Sequence, residues 1–134
     1  MIQSIDHIGI AVKSLHDALP IYTDGLGLEE IVIEEIPLQK VRVAMIPVGN
    51  SRIELLEPTS PDSPIAKFIE KHGEGIHHIS LEVTEIEKHI SQLKDNNIQL
   101  TNDIPLPGAE GTLITFLHPK STRGVLIELS QESE

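Results

Sequence analysis

The sequence has no cysteine and very few aromatic residues, and each absence narrows what the protein can be. Without cysteine there are no disulfides, no thiolate metal ligands and no cysteine nucleophile. Aromatic residues make up only 2% of the chain, so a buried core has to be built mainly from Ile, Leu and Val. No run approaches the ~18 apolar residues of a membrane-spanning helix, and no leader-like segment precedes the first strand-like pattern. We therefore expect a soluble, cytoplasmic protein.

Basic residues are also scarce. Ten Lys and Arg against 21 Asp and Glu give a formal net charge of -11. Nucleic acids and anionic membranes require a basic face, so neither is expected as a partner. A small anionic ligand remains compatible with this charge, because its binding depends on local cations. The cations that lie close together in the sequence are Lys40, Arg42 and Arg52 and, further on, Lys120 and Arg123.

The same order of elements occurs twice along the chain, with a Pro-rich linker between the copies. Helical spacing predicts helices at 14–28, where Pro20 should cost a backbone hydrogen bond, within the linker at 60–75, and at 85–97. Alternating apolar residues bounded by turn signals predict eight strands, at 5–12, 29–38, 40–48, 52–58, 76–83, 98–106, 112–119 and 124–130.

The two copies also match residue by residue. A shift of 71 places His7 on His78, and the tripeptide Ile-Glu-Leu at 53–55 recurs at 127–129. One half alone would bury too little apolar surface to be stable. We therefore predict an α+β fold in which two tandem βαβββ modules form a curved, mostly antiparallel sheet around a metal-binding cleft. Residues 1–134 are expected to be a single domain, with module one at about 3–58, the linker at about 59–75 and module two at about 76–131.

Two adjacent histidines, His77 and His78, lie on opposite faces of the fifth predicted strand, because strand side chains alternate. His78 shares the small, polar face with Ser80 and Glu82, and it corresponds to His7 in the first copy. The other face is aliphatic and should pack under the helix. His78 is therefore the functional candidate, and Glu82 is a second candidate for acid–base chemistry.

The last strand of each module adds one glutamate to the same kind of face. Glu54 and Glu128 both alternate with aliphatic residues that should face the helix. If the two sheets close on each other by pseudo-twofold symmetry, these glutamates meet His7 and His78 in one cleft. Two imidazoles and two carboxylates suit a divalent first-row metal and leave positions for water or substrate.

Tandem modules carrying His…Glu…His…Glu resemble the vicinal oxygen chelate superfamily, which includes glyoxalase I, extradiol dioxygenases and fosfomycin-resistance enzymes. Within it, the chain most resembles the methylmalonyl-CoA epimerases, over nearly its whole length. The segments that carry the resemblance are "IDHIGIAV" (5–12), "IELLEP" (53–58), "DSPIAKFIEKHGEGIHHISLEV" (62–83) and "FLHPKSTRGVLIEL" (116–129).

The resemblance implies a metal site and a reaction. His7, Glu54, His78 and Glu128 match metal-ligand positions, with Co²⁺ favoured and Mn²⁺, Ni²⁺ or Zn²⁺ as alternatives. Some epimerases have Gln at the position of Glu54. Glu54 and Glu128 are also the implied catalytic bases for inversion at C2 of methylmalonyl-CoA. A glutamate that is proposed as a base in some relatives falls near Val43, so that role does not transfer to this chain.

The resemblance also implies a homodimer, and a CoA substrate whose phosphates need the two groups of cations noted above. Two other functions are compatible with the sequence. One is a glyoxalase I-type lactoylglutathione lyase with similar ligands, and the other is a metal-free, drug-sequestering binding protein. An iron dioxygenase is less favoured, because its 2-His-1-carboxylate site has no fourth protein ligand.

Overall fold

The chain forms two compact units in the computed structural model, which describes residues 1–132. One unit is His7–His77, and the other joins Met1–Asp6 to the residues from His78 onward. That they form a single domain stays a prediction. The elements up to the second module are β1 (Ile2–Ala11), α1 (Leu15–Pro20), β2 (Val32–Ile36), β3 (Val41–Val48), β4 (Ser51–Pro58) and the linker helix α2 (Pro64–His72).

The second copy repeats the order of the first. Its first strand begins at Gly75, one residue earlier than predicted, and its helix covers most of the predicted segment. The elements are β5 (Gly75–Val83), α3 (Ile86–Asp95), β6 (Leu106–Pro107), β7 (Leu113–Leu117) and β8 (Ile127–Gln131).

Within each module the first and last strands are neighbours. The strand order is β2-β3-β4-β1 in the first copy and β5-β8-β7-β6 in the second. β1 is parallel to β4 and β5 is parallel to β8, whereas β2–β3, β3–β4, β6–β7 and β7–β8 are antiparallel. The parallel pairings matter for function, because they bring the histidine strand of each module beside its glutamate strand.

The aliphatic face of each module packs under its helix, as the alternation predicts. In the first unit Val12, Ala44, Ile46 and Leu55 form a buried cluster with Leu15 of α1. In the second, the corresponding cluster joins strand residues to α3 and consists of Val83, Ile86, Ile90, Leu100, Leu117 and Leu129. The opposite face of each sheet is thereby left for the polar residues.

The first helix continues through its proline by changing type. Ser14 caps it, its hydroxyl accepting a hydrogen bond from the Asp17 amide at 3.2 Å. Pro20 has no N–H to donate, and a π-helical turn follows at Ile21–Gly25, closed by a bond from the Leu26 amide to the Ile21 carbonyl at 3.0 Å. The predicted helix at 14–28 is confirmed, with a wider turn where the proline interrupts the α-helical bonding.

The sixth predicted strand is wrong over most of its length. In place of a strand at 98–106 the structure has only Leu106–Pro107 and an isolated bridge between Leu100 and Leu117. The Asn102 carbonyl accepts its bond from the Thr115 hydroxyl, at 2.7 Å, instead of a strand amide. Pro105 has no N–H for a ladder. The segment therefore follows β7 without pairing continuously.

The start of the linker is tied to the residue preceding β3 by an ion pair between Lys40 and Asp62. Hydrogen bonds from Lys40 and Ser60 lower the pKa of Asp62 from 3.8 to about 2. Because the folded pKa lies below the unfolded one, the pair stabilises the fold above pH ~4 and this contribution is lost as the pH falls towards 2.

We expect an NMR titration of the Asp62 carboxyl to have its midpoint near pH 2. Lys40→Gln should move this midpoint towards the ordinary value of 3.8, because Lys40 makes the largest contribution to the shift. Ser60→Ala should move it less. A wild-type midpoint near 4 would show that the ion pair does not persist in solution.

Candidate functional site

The two candidates of the first module, His7 and Glu54, are buried and in contact with each other. The parallel register places His7 of β1 beside Arg52 of β4, and Gly9 beside Glu54. His7 Nδ1 lies 3.3 Å from Glu54 Oε2, and the two residues are only 5% and 4% exposed. A carboxylate this deeply buried needs a positive partner, whether a cationic side chain or a metal ion.

Arg52 supplies part of that compensation. Its Nε and Nη2 both donate to Glu54 Oε2, at 3.1 Å and 2.8 Å. Arg52 and Glu54 are two residues apart on β4 and therefore lie on the same face of the strand. The two donors of Arg52 fix the orientation of the Glu54 carboxylate. In the sequence, Arg52 is one of the cations expected to bind CoA phosphates. The structure instead engages it with the buried glutamate.

The two candidates of the second module, His78 and Glu128, are also buried. His78 Nε2 lies 3.9 Å from Glu128 Oε1, and the residues are 6% and 5% exposed. Phe116 lies edge-on to the His78 ring, with centroids 5.7 Å apart. Glu128 pairs in register with Phe116 of β7 on one side and with Ser80 of β5 on the other. One aromatic ring and one hydroxyl group therefore flank Glu128.

The two modules differ in how they hold their glutamates. The shift of 74 that relates Glu54 to Glu128 relates Arg52 to Leu126. Glu128 therefore has no arginine at the corresponding position, and the pseudo-symmetric halves are chemically unequal.

Both pairs have donor atoms that suit a divalent first-row ion, and the first pair also has the spacing of two ligands on one ion. An imidazole nitrogen and a carboxylate oxygen, each about 2.0–2.2 Å from one ion, lie roughly 3–3.5 Å apart in tetrahedral or octahedral geometry. The His7–Glu54 separation of 3.3 Å falls in that range, and the His78–Glu128 separation of 3.9 Å is slightly wider. The donor chemistry is right for Co²⁺, Mn²⁺, Ni²⁺ or Zn²⁺. That all four residues share a single ion stays a prediction.

The Ser80 hydroxyl is buried, on a residue that is 0% exposed, and it has no hydrogen-bond partner within the described part of the chain, residues 1–132. Ser80→Ala should therefore change the free energy of unfolding by less than about 0.5 kcal/mol, since no hydrogen bond is lost. Thr115→Val is the matched comparison, because the Thr115 hydroxyl does bond to Asn102, and it should cost about 1–2 kcal/mol. Equal losses in urea unfolding would contradict this assignment.

His77 and Glu82, the other residues considered from the sequence, lie outside these pairs, as does the helical histidine His89. His77 packs edge-on against Phe68, with ring centroids 4.9 Å apart. This contact agrees with the position of His77 on the opposite face of β5 from His78. Burial lowers the pKa of His89, which lies on α3. Glu82 is half-buried on the face of His78 and pairs in register with Ser130. Among residues 1–132, none of the helices is both long and apolar enough to cross a membrane.

Comparison with known proteins identifies the family. Residues 6–116 match the model of the glyoxalase/bleomycin resistance protein/dioxygenase superfamily. The chain belongs to this superfamily. It is 41% identical to the ethylmalonyl-CoA/methylmalonyl-CoA epimerase of Cereibacter sphaeroides, over 98% of this chain and 99% of that protein.

Two solved structures match nearly the whole chain. One is hypothetical protein BH1468 of Bacillus halodurans, with 52% identity, a TM-score of 0.93, and coverage of 97% of this chain and 94% of that one. The other is a methylmalonyl-CoA epimerase in complex with methylmalonyl-CoA and NH4+, with 37% identity, a TM-score of 0.95, and coverage of 99% and 96%. Both confirm the α+β fold class, and the second confirms the resemblance to the epimerases.

Proposed function

We propose that the protein is a metal-dependent epimerase that interconverts (2R)- and (2S)-methylmalonyl-CoA by removing and returning the proton at C2. The observation that carries the proposal is the buried His–Glu pair in each module. A binding protein of this fold has no need to keep ionisable donors at all four positions. The extensive identity to a named epimerase supports the choice of substrate.

The proposed ligands are His7, Glu54, His78 and Glu128, one pair from each copy of the duplicated module. Their donor set fits a divalent ion, and the family resemblance favours cobalt. When bound, the ion would act as a Lewis acid towards the thioester and carboxylate oxygens of the substrate.

Inversion at C2 needs a proton acceptor on one face of the substrate and a proton donor on the other. Glu54 and Glu128 come from opposite modules, and we assign them these two roles. Arg52 fastens Glu54 with two hydrogen bonds, so Glu54 has to leave a strong partner before it can move to C2. Glu128 has no arginine at the corresponding position and is the better candidate for the principal base. Glu82 shares the face of His78 and is the alternative.

A glyoxalase I-type lyase is the competing function, because it uses similar ligands and similar proton chemistry. The two are separated by testing two substrates on the same cobalt-loaded sample. We expect turnover of methylmalonyl-CoA in an assay coupled to a stereospecific mutase. We expect no lactoylglutathione from methylglyoxal and glutathione. Formation of lactoylglutathione without epimerisation would contradict the proposal.

The proposed assembly is a homodimer and the proposed location is the cytoplasm, both on the family resemblance. Sedimentation of the cobalt-loaded protein as a monomer at micromolar concentration would contradict the dimer.

A further inference from the structure

Two long stretches of the chain contain no acidic residue although both carry cations. They are residues 36–53 and residues 111–127. In a chain with a net charge of -11, such stretches are the places where an anionic ligand meets the least repulsion.

The cations of the first stretch are all held by carboxylates from outside it. Lys40 pairs with Asp62, and Arg52 pairs with Glu54 at 2.8 Å. Arg42 Nη1 donates to Glu57 at 2.9 Å. Recruiting these side chains to a phosphate would first require breaking an existing ion pair.

The cations of the second stretch are differently placed. Lys120 and Arg123 are exposed. Among residues 1–132, no carboxylate lies within ion-pair distance of either side chain. They lie three residues apart in the turn between β7 and β8.

The turn that carries them is ordered by its own hydrogen bonds. The Ser121 and Gly124 amides donate to the carbonyls of His118 and Pro119, both at 2.8 Å. The Lys120 amide donates to His118 Nδ1 at 3.1 Å. Three amides of the turn are therefore already used, and we expect the charged side chains to supply most of the contacts to an anion.

The turn also lies at the end of the second module's sheet where the His78–Glu128 pair is located. Leu117 pairs with Ile127 to close the β7–β8 hairpin, and Glu128 is the next residue. Ile127 also pairs with Ile79, the neighbour of His78 in β5. The turn thus leaves the sheet at the end where the His78–Glu128 pair is located.

We propose that Lys120 and Arg123 bind the phosphates of the nucleotide half of CoA. The inference rests on the proposed function, in which the thioester end of the same molecule reaches Glu128. Two exposed cations on a fixed turn give a charge-dependent, salt-sensitive contact with phosphate oxygens. They are therefore expected to contribute to substrate binding and not to the chemical step.

The direct test is calorimetric binding of adenosine 3′,5′-bisphosphate, a fragment of CoA, to the intact protein at low salt. The double variant Lys120→Gln/Arg123→Gln should bind the bisphosphate about tenfold more weakly than wild type. This magnitude is expected because the variant loses two exposed charge contacts, each of which contributes little by itself. The control, Lys67→Gln/Lys71→Gln, removes the same charge from exposed positions on α2 and should stay within about twofold of wild type. Equal binding by wild type and the 120/123 variant, or an equal loss in the control, would overturn the proposal.

A kinetic test separates this site from the reaction. The 120/123 variant should raise KM for methylmalonyl-CoA about tenfold with kcat unchanged, and it should leave KM for methylmalonyl-pantetheine, which lacks the nucleotide, at the wild-type value. An equal loss on both thioesters would contradict the assignment. If wild type acts on neither thioester, the proposed function fails, and the bisphosphate measurement still decides the anion site.

Discussion

Glu128→Gln should lower the rate of methylmalonyl-CoA epimerisation by about three orders of magnitude, the typical contribution of a positioned acid–base group. Gln keeps the size of the side chain and can still offer an oxygen, but it cannot accept the C2 proton. The rate is measured on cobalt-loaded protein with the stereospecific mutase assay, and metal content is determined on the same sample. Glu87→Gln, an exposed substitution on α3, should leave the rate unchanged. Near-normal epimerisation by the Glu128 variant would remove Glu128 from the mechanism.

The matched comparison for this variant is Glu54→Gln. Some epimerases have Gln at this position, and Arg52 already holds the Glu54 carboxylate. We expect a loss of about a hundredfold, the low end for a positioned acid–base group and smaller than the loss for Glu128→Gln. An equal loss in the two variants would show that the difference between the modules, Arg52 in one and Leu126 in the other, has no catalytic consequence.

The double variant His7→Ala/His78→Ala should bind no Co²⁺ and show no epimerisation. It removes both imidazole donors and leaves two carboxylates, which hold first-row ions far less well at these buried positions. Calorimetric titration with Co²⁺ measures the binding, and far-UV circular dichroism checks that the variant is folded. His16→Ala/His72→Ala, which removes two exposed histidines, should titrate like wild type. Cobalt affinity equal to wild type in the His7/His78 variant would place the metal elsewhere.

Strand alternation and the internal repeat were sufficient to predict that His7, Glu54, His78 and Glu128 lie on the polar faces of their strands. His7 and His78 lie on the polar faces because their strands bury aliphatic residues under the helices, and this rule depends on local pattern alone. The parallel pairing of β1 with β4 was not predicted. It is a contact between segments about 45 residues apart, and periodicity along a strand carries no information on its neighbours.

The errors have specific physical causes. The segment 98–106 has alternating apolar residues, but Asn102 takes its hydrogen bond from a side chain and Pro105 cannot donate one. Arg52 was assigned to substrate phosphates because it is close in sequence to Lys40 and Arg42. Its location on the face of Glu54 followed from the alternation. The sequence does not show that Glu54 is buried. Its burial in the structure explains why the Glu54 carboxylate binds Arg52.

The most direct test of the account is hydrogen exchange at C2 of methylmalonyl-CoA. Cobalt-loaded protein is mixed with one stereoisomer in D₂O, and the C2 proton signal is followed by NMR. We predict that deuterium enters C2 as stereochemical purity is lost, that EDTA abolishes both, and that added Co²⁺ restores them. No exchange at C2 while Co²⁺ is bound would contradict the proposed reaction.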